Sequence, residues 1–421
     1  MSRRGRRPWL TRPDDGPKLA VRAPARPRLL VVNQYFASRE ATGQLLLELT
    51  AHLADEFDIT VVTASSSALA DSSTTPDARV RVRRVRAATF GRSSLILRAL
   101  NYLTFLGRVP VAALRSGRAD VILCLTDPPV VGLVALLVAR LRRIPFVLGA
   151  QDLHPQLGQV SGHLTNPAVV VSLRIAQRLL LRTASRVVAI GEAMRERLVG
   201  LGASAHRTEV IPNWTDIHVI RPLERQTVWA REHALEKPFV VMHAGNIGQL
   251  QGLDILVEAA EKAPEITFVV VGDGSSRAAL VERAEHAGSD NLRFLPWQEH
   301  SRMAEVLSAA DAHLVSLVPG LAGLLEPTKL YAALASGRPI ITALDETSEG
   351  ARVVTTERCG IVTRPGDADA LVTAVRSFAA LTEVDRVAMG QRARTYAERC
   401  GDRRHAAQAY ARVLHSAIAS P

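Results

Sequence analysis

Cysteine is scarce. Cys124, Cys359 and Cys400 are the only three among 421 residues, and they lie far apart with no CxxC and no histidine at ligand spacing. That argues against a zinc site and a disulfide framework, and for a reducing compartment. Long apolar runs are lacking too: the longest, Pro128 to Ala139, is too short to span a bilayer. The opening residues are basic and proline-rich without an apolar h-region, so 1–27 read as a disordered basic arm and not as a signal peptide. No GxGxxG follows the first expected strand, which removes the dinucleotide fingerprint. Acidic residues vanish altogether from one stretch. Arg79 to Arg118 carries ten arginines and no Asp or Glu, and the arm adds eight basic residues against two acidic ones, so the net charge of +11 is concentrated there. A localised basic surface attracts anionic lipid or nucleic acid. Residues 90–110 mix Leu, Ile, Phe and Tyr with Arg92, Arg98 and Arg108. They read as an amphipathic helix resting on an anionic membrane surface, with a domain helix bearing a solvated basic face as the alternative. The segment shows no nucleic-acid-binding motif and few aromatics for base stacking, so nucleic acid is not the expected partner.

What is present is an alternation of short apolar strands and helices, in a chain too long for one ordinary core. A composition of 47% hydrophobic and 22% charged residues is that of a soluble globular protein. Arg28–Asn33 reads as a buried strand. The loop QYFASREATGQ, a helix over Gln44–Glu56 and a strand over Ile59–Thr63 follow, the opening of a doubly wound α/β domain. Thr42 and Gly43 in that loop would approach a substrate closely. Val80–Val85 alternates Arg with Val and reads as an edge strand. Phe146–Ala150 ends in Gln151-Asp152-Leu153-His154-Pro155, which puts Asp152 and His154 at the carboxyl edge of the sheet. Asp152 there can orient an acceptor hydroxyl; a cap or turn role is the alternative. Pro212 to Asp216 is a turn-rich break that separates two domains.

The second half restarts the alternation. Phe239–Met242 runs into His243-Ala244-Gly245-Asn246-Ile247-Gly248, where small residues let a diphosphate approach the backbone and Asn246 and Gln251 offer neutral donors. Phe268–Val271 ends in Gly272-Asp273-Gly274. Trp297, after a strand over Leu292–Leu295, either flanks a nucleobase or belongs to the core. Leu324–Ile341 reads as turn, helix and strand: Pro327 in the first helical turn, Leu330, Ala333 and Leu334 facing a core, Gly337 stopping the helix. The amides near Thr328 and Leu330 suit a phosphate, and Lys329 adds a cation. Glu326 can accept hydrogen bonds from sugar hydroxyls. An ordinary helix start with a solvated Glu326 and Lys329 is the bland alternative. The end of the chain, about Val384 to Ala419, reads as helical and basic.

The pieces NQYF with ATGQLLLELTAHLA, DLHP, VIPNWTD, AGNIGQLQGLDILVEAA, VVVGDGS, EPTKLYAALASGRPII and CGIVTRPGD together resemble the family 4 glycosyltransferases. Within them they resemble the WbuB-like subgroup of colanic acid and O-antigen synthesis. The resemblance covers nearly everything from Arg28 onward. It implies a GT-B fold, with two Rossmann-like doubly wound domains facing across a cleft. An acceptor-binding domain would span 28–215 and a nucleotide-sugar-binding domain 216–399, with a C-terminal helix over 400–421 crossing back. It also implies retention of anomeric configuration, a UDP- or GDP-linked donor sugar, no required metal and no further cofactor.

On this basis Asp152, Lys329 and Glu326 form the expected catalytic set. Gly245, Asn246, Gln251, Gly272, Trp297, Thr328 and Leu330 are the expected donor contacts, and Thr42, Gly43 and His154 the acceptor contacts. Many members carry two glutamates eight positions apart around the Lys329 helix; counted back from Gly337, these positions are Leu324 and Ala332. An Arg and a Lys of the wider family's diphosphate loop correspond to Asn246 and Gln251. The expected activity is hexosyl transfer to a hydroxyl of a lipid-linked or other amphiphilic acceptor, in cell-surface polysaccharide or glycoconjugate synthesis. The expected location is the cytoplasm, peripheral on the inner face of the plasma membrane. A sugar-nucleotide epimerase of the same fold, an inactive sugar-nucleotide-binding homologue and natural-product glycosylation stand as alternatives.

Overall fold

The computed structural model describes residues 26–37, 41–65, 76–86, 95–126, 128–236 and 239–420. The expected basic arm up to residue 25 and the first part of the 90–110 segment lie outside the described residues. The first unit runs β1 (Arg28–Val32), α1 (Ala41–Leu53), β2 (Asp58–Ser65), β3 (Arg81–Arg86), α2 (Leu95–Leu114), β4 (Val121–Leu125) and α3 (Val131–Arg142). It continues through β5 (Phe146–Ala150), α4 (Gln156–Val160), α5 (Pro167–Thr183), β6 (Arg186–Ala189), α6 (Glu192–Gly200) and β7 (Thr208–Val210). Its seven strands are all parallel, in the order β3-β2-β1-β4-β5-β6-β7. A parallel sheet is covered on both faces, which is why VILCL of β4 and FVLGA of β5 are buried at every position. At the edge, RVRRVR of β3 buries only Val85 fully. Right-handed crossovers place α2, α3 and α5 side by side on one face and α1 on the other; α2 packs on α3 and α3 on α5.

The second unit runs α7 (Val228–Glu232), β8 (Phe239–Ala244), α8 (Ile255–Lys262), β9 (Ile266–Val271), α9 (Arg277–His286), β10 (Leu292–Leu295) and α10 (Met303–Ser308). Then come β11 (Ala312–Ser316), α11 (Lys329–Ala335), β12 (Ile340–Ala343), α12 (Glu349–Thr356), β13 (Gly360–Thr363), α13 (Ala368–Ala380), α14 (Glu383–Cys400) and α15 (Arg403–Ala419). Its six parallel strands follow the order β10-β9-β8-β11-β12-β13. In both sheets the strand order reverses once, at β1/β4 and at β8/β11. Open α/β sheets hold ligands in the crevice at such a reversal.

Four details depart from the sequence reading. Helix α1 begins at Ala41, so Thr42 and Gly43 belong to its first turn and not to the preceding loop; the Gly43 carbonyl accepts from the Ala37 amide at 3.3 Å. Pro327 precedes α11, whose N-cap is Thr328. The C-terminal helix is two helices broken at Gly401. There the Thr215 amide donates to the Gly401 carbonyl at 2.9 Å, and a side chain at 401 would press on the Tyr331 ring at 3.2 Å. The chain turns there, and α15 packs on α1 of the first unit. Tyr410 of α15 is buried edge-to-face against Trp214 at 6.1 Å, and Arg186 donates to Ser416 Oγ at 2.7 Å. Finally, the Arg79–Arg118 stretch is not a uniform band of solvated charge. Arg79 pairs with Asp55 and Asp77, while Arg83 and Arg108 donate to the carbonyls of Arg115 and Arg86 at 2.8 and 2.7 Å.

Candidate active site

The reversal between β8 and β11 gathers most of the expected donor residues. Val271 and Ala244 are paired at the carboxyl ends of β9 and β8, so the turns after the two strands emerge together. Gly245 has φ +143° and Gly272 φ +145°. A Cβ on Gly272 would lie 2.0 Å from the Gly245 carbonyl oxygen, and one on Gly245 would lie 3.4 Å from Lys329 Cε. Only glycine permits this closeness. Lys329, the first residue of α11, thus lies directly over the turn after β8.

Lys329 is half-buried, and burial brings its ammonium down to about 7. Its Nζ lies 3.2 Å from Nε2 of His243, the fifth residue of β8. His243 is buried, and burial followed by the Lys329 charge pushes its imidazole well below its ordinary value. A neutral His243 therefore accepts from the protonated lysine and aims it at the turn. Sequence reading passed over this residue: the only signal was a histidine interrupting an apolar strand.

Asn246 is exposed beside this turn. The Gln251 carbonyl oxygen is engaged, accepting from the Gly248 amide at 2.9 Å, which leaves its NH2 as the available donor. The Leu330 amide is not available to a phosphate: it donates to the Pro327 carbonyl at 3.0 Å and the residue is buried. Thr328 is half-buried at the start of α11. Trp297 is not a core residue. It is 55% exposed in the loop after β10, beside the Gly272 turn, where the Gly272 amide donates to the Leu295 carbonyl at 3.1 Å.

Glu326 is neither solvated nor open. It is 7% exposed and accepts from the amides of Glu349 and Gly350 at 3.0 and 3.4 Å, beside the Ser348 cap on the Ala351 amide. It therefore caps α12, a helix the sequence reading did not contain. Burial lifts its carboxyl to about 7. Glu326→Ala should strand two buried amides and lower unfolding free energy by about 2–3 kcal/mol, with Glu326→Gln recovering part of the loss. Urea denaturation of the three proteins checks this; an unchanged midpoint for the Ala variant would remove the capping role.

Across the cleft, the Leu153 amide donates to the Leu324 carbonyl at 2.8 Å, which ties the turn after β5 to the loop before α11. A second tie joins the units where the Glu192 amide, at the start of α6, donates to Glu349 at 3.1 Å. Asp152 and His154 flank Leu153. Both are half-buried; burial raises the Asp152 carboxyl to about 6 and lowers His154 to about 4. Thr126 Oγ1 accepts from the Asp152 amide at 3.1 Å and so fixes the turn. Asp345, also overlooked, accepts from the amides of Gly320, Leu321 and Ala322 at 2.9, 3.1 and 3.3 Å and shapes the loop that carries Leu324. The result is two clusters: Gly245, Asn246, Gln251, Gly272 and Lys329 on one side, Asp152 and His154 on the other. Thr42 and Gly43 lie apart, at the start of α1, which follows β1 of the β1/β4 reversal.

The glycosyl transferase 4-like domain family matches residues 41–214, and the glycosyl transferases group 1 family matches residues 238–380. The putative colanic acid biosynthesis glycosyl transferase WcaI of Escherichia coli is 30% identical over 233 residues, 54% of this chain and 56% of that protein. The chain thus spans little more than half of that relative. The probable glycosyltransferase WbjE of Pseudomonas aeruginosa is 27% identical over 86% of this chain and 91% of its own length. Among solved structures, Anabaena HepE in complex with UDP superposes with a TM-score of 0.72 at 18% identity, covering 92% of this chain and 100% of that one.

Proposed function

The chain belongs to the family 4 glycosyltransferases of GT-B fold, and on that premise we propose that it moves a hexosyl unit from a nucleoside diphosphate sugar to a hydroxyl of a lipid-linked or other amphiphilic acceptor, in cell-surface polysaccharide synthesis, with retention of configuration. The observation that carries this reading is Lys329, held by His243 over the Gly245 turn at the β8/β11 reversal. The barrier to transfer lies largely in the charge that builds on the departing diphosphate. A preorganised ammonium in a partly desolvated crevice meets that charge without reorganisation and without calling on a metal ion. The Asn246 side chain and the Gln251 NH2 orient the diphosphate. The UDP bound by HepE makes a uridine donor the first to test, with GDP next, and the exposed Trp297 is the proposed contact for its base. The acceptor oxygen attacks the anomeric carbon from the side the diphosphate leaves. The carbon–oxygen bond to phosphate breaks, and the departing phosphate oxygen takes the hydroxyl proton while Asp152 holds the acceptor. Closure of the two units excludes water, so transfer prevails over hydrolysis.

A thermal-shift panel of UDP, GDP, TDP and their sugars, followed by acceptor-dependent turnover with the responding donor, tests the reading. A shift for one base and turnover only with acceptor are expected. No shift with any of them, or acceptor-free isomerisation of the donor, would overturn it.

The Lys329 value sets a pH dependence. Below about 7 the lysine is already protonated and the diphosphate finds its cation in place; above about 7 binding must take up a proton. Affinity for the intact sugar nucleotide, whose diphosphate does not titrate in this range, should be flat from pH 6 to 7. It should then weaken by up to about tenfold per pH unit above that. Calorimetry in two buffers of different ionisation enthalpy reads the proton uptake directly, and none at pH 8.5 would contradict the assignment.

A further inference from the structure

Of the thirteen large apolar side chains left exposed among the described residues, six lie on the paired helices α3 and α5, and two more, Val111 and Leu114, lie on α2 beside α3. Leu141 is 62% and Ile175 66% exposed. On α5 the outward side chains Val171, Ile175 and Leu179 recur at helical spacing, and Leu137 and Leu141 do so on α3. Arg140, Arg143, Arg178 and Arg182 are interleaved with them and exposed. No hydrogen bond or ion pair engages those four arginine side chains among the described residues. The three helices contain no Asp or Glu at all.

We propose that this α3–α5 face seats the protein on an anionic lipid bilayer. An exposed aliphatic stripe calls for an apolar partner, and unpaired arginines call for an anionic one; a bilayer interface with acidic headgroups offers both within one side chain's depth. A second copy of this chain does not fit, because pairing the face with itself would set arginines against arginines with no acid to answer them. A nucleic-acid backbone would satisfy the arginines and leave Ile175 and Leu141 against a charged surface. The face differs from the Arg79–Arg118 segment, whose Arg79, Arg83 and Arg108 are engaged within the protein. It also adjoins the site. Helix α5 descends from the carboxyl edge of the first sheet, and its Leu173, Ala176 and Gln177 line, with Asp152 and His154, a shallow apolar pocket. A headgroup lying in the seated bilayer would meet the protein beside Asp152. The inference rests on the reading of the acceptor as amphiphilic.

Cosedimentation of the full chain with vesicles of phosphatidylglycerol and phosphatidylcholine, against phosphatidylcholine alone, tests it. Binding to the anionic vesicles only is expected. Ile175→Glu/Leu179→Glu should weaken it by roughly tenfold or more, since each change removes an inserted group and adds a repelled one. Val384→Glu/Val387→Glu, equally exposed on α14, should leave it unchanged. No binding by the native chain overturns the proposal, and so does binding that survives Ile175→Glu/Leu179→Glu, which would move the contact to the basic arm or to the Arg79–Arg118 segment. The donor thermal shift, measured on the same proteins without lipid, reports separately on the glycosyltransferase reading; its loss in the native chain would sink that reading whatever the vesicles show.

Discussion

Lys329→Ala should lower acceptor-dependent turnover on the order of a thousandfold and leave the protein as stable as before. The first half of that expectation follows from where charge develops. Lys329 is the cation set over the Gly245 turn, and losing one preorganised group that meets a developing anion costs on the order of a hundred- to a thousandfold. Asn246 and Gln251 are neutral and bring no charge to this turn, so the load on Lys329 is larger. The second half follows from desolvation. Burial already holds this ammonium near 7, far from its ordinary value, so the fold carries a cost for it and gains nothing by its charge. A catalytically poor variant with an unchanged or higher urea midpoint is the signature of a functional lysine. Arg84→Ala, on the exposed edge strand, supplies the comparison and should turn over normally. Comparable losses in the two variants would remove Lys329 from its role.

Gly272→Ala should be the most damaging single methyl in the second unit's ligand edge. The added carbon would meet the Gly245 carbonyl oxygen at 2.0 Å, and the position has φ +145°, where an L side chain is strained before any contact is counted. Backbone does not yield as a flexible side chain does, so β8 and β9 must separate at their carboxyl ends. A loss of about 3–5 kcal/mol is expected from the combined overpacking and strain. Donor binding should fail even where enough folded protein remains to assay, because the turn that moves is the one facing Lys329. Gly288→Ala is the matched comparison: it also has positive φ, but open space surrounds the added carbon. If the two variants unfold at the same urea concentration, the tight approach of the two turns is not real.

These two expectations rest on features of unequal legibility. Strands such as β4 and β5 are apolar from end to end because a parallel sheet is covered twice, and that pattern survives in a single sequence. The glycines after β8 and β9 and the lysine before an apolar helix were visible as local chemistry. What connects them was not. The His243–Lys329 contact joins residues 86 apart, and nothing near either one announces the other. Glu326 looked like a sugar ligand because its partner is a helix start 23 residues on, in a segment whose Ser, Glu and Gly obscured its periodicity. For Trp297 the sequence leaves a nucleobase contact and a core position both open, and only its 55% exposure on the loop after β10 removes the second. Thr42 and Gly43 read as loop because a glycine near a helix start looks like an interruption; Gly43 is instead buried in the first turn of α1, where its carbonyl accepts from the Ala37 amide.

The return of α15 to the first unit has a meaning in time as well as in space. Tyr410, Val413 and Leu414 complete the core that Leu29, Leu46 and Leu49 begin, yet every element from β2 to α14 is made between them. As the polypeptide leaves the ribosome from its amino end, α1 emerges long before α15, and its apolar face lacks that cover until α15 is free. The strands of the second unit, β8 to β13, are made in the interval and can pair as they appear. The first unit, though made earlier, waits on α15. Any nascent-chain factor that shields this protein would therefore be needed at α1 from its emergence until α15 is made.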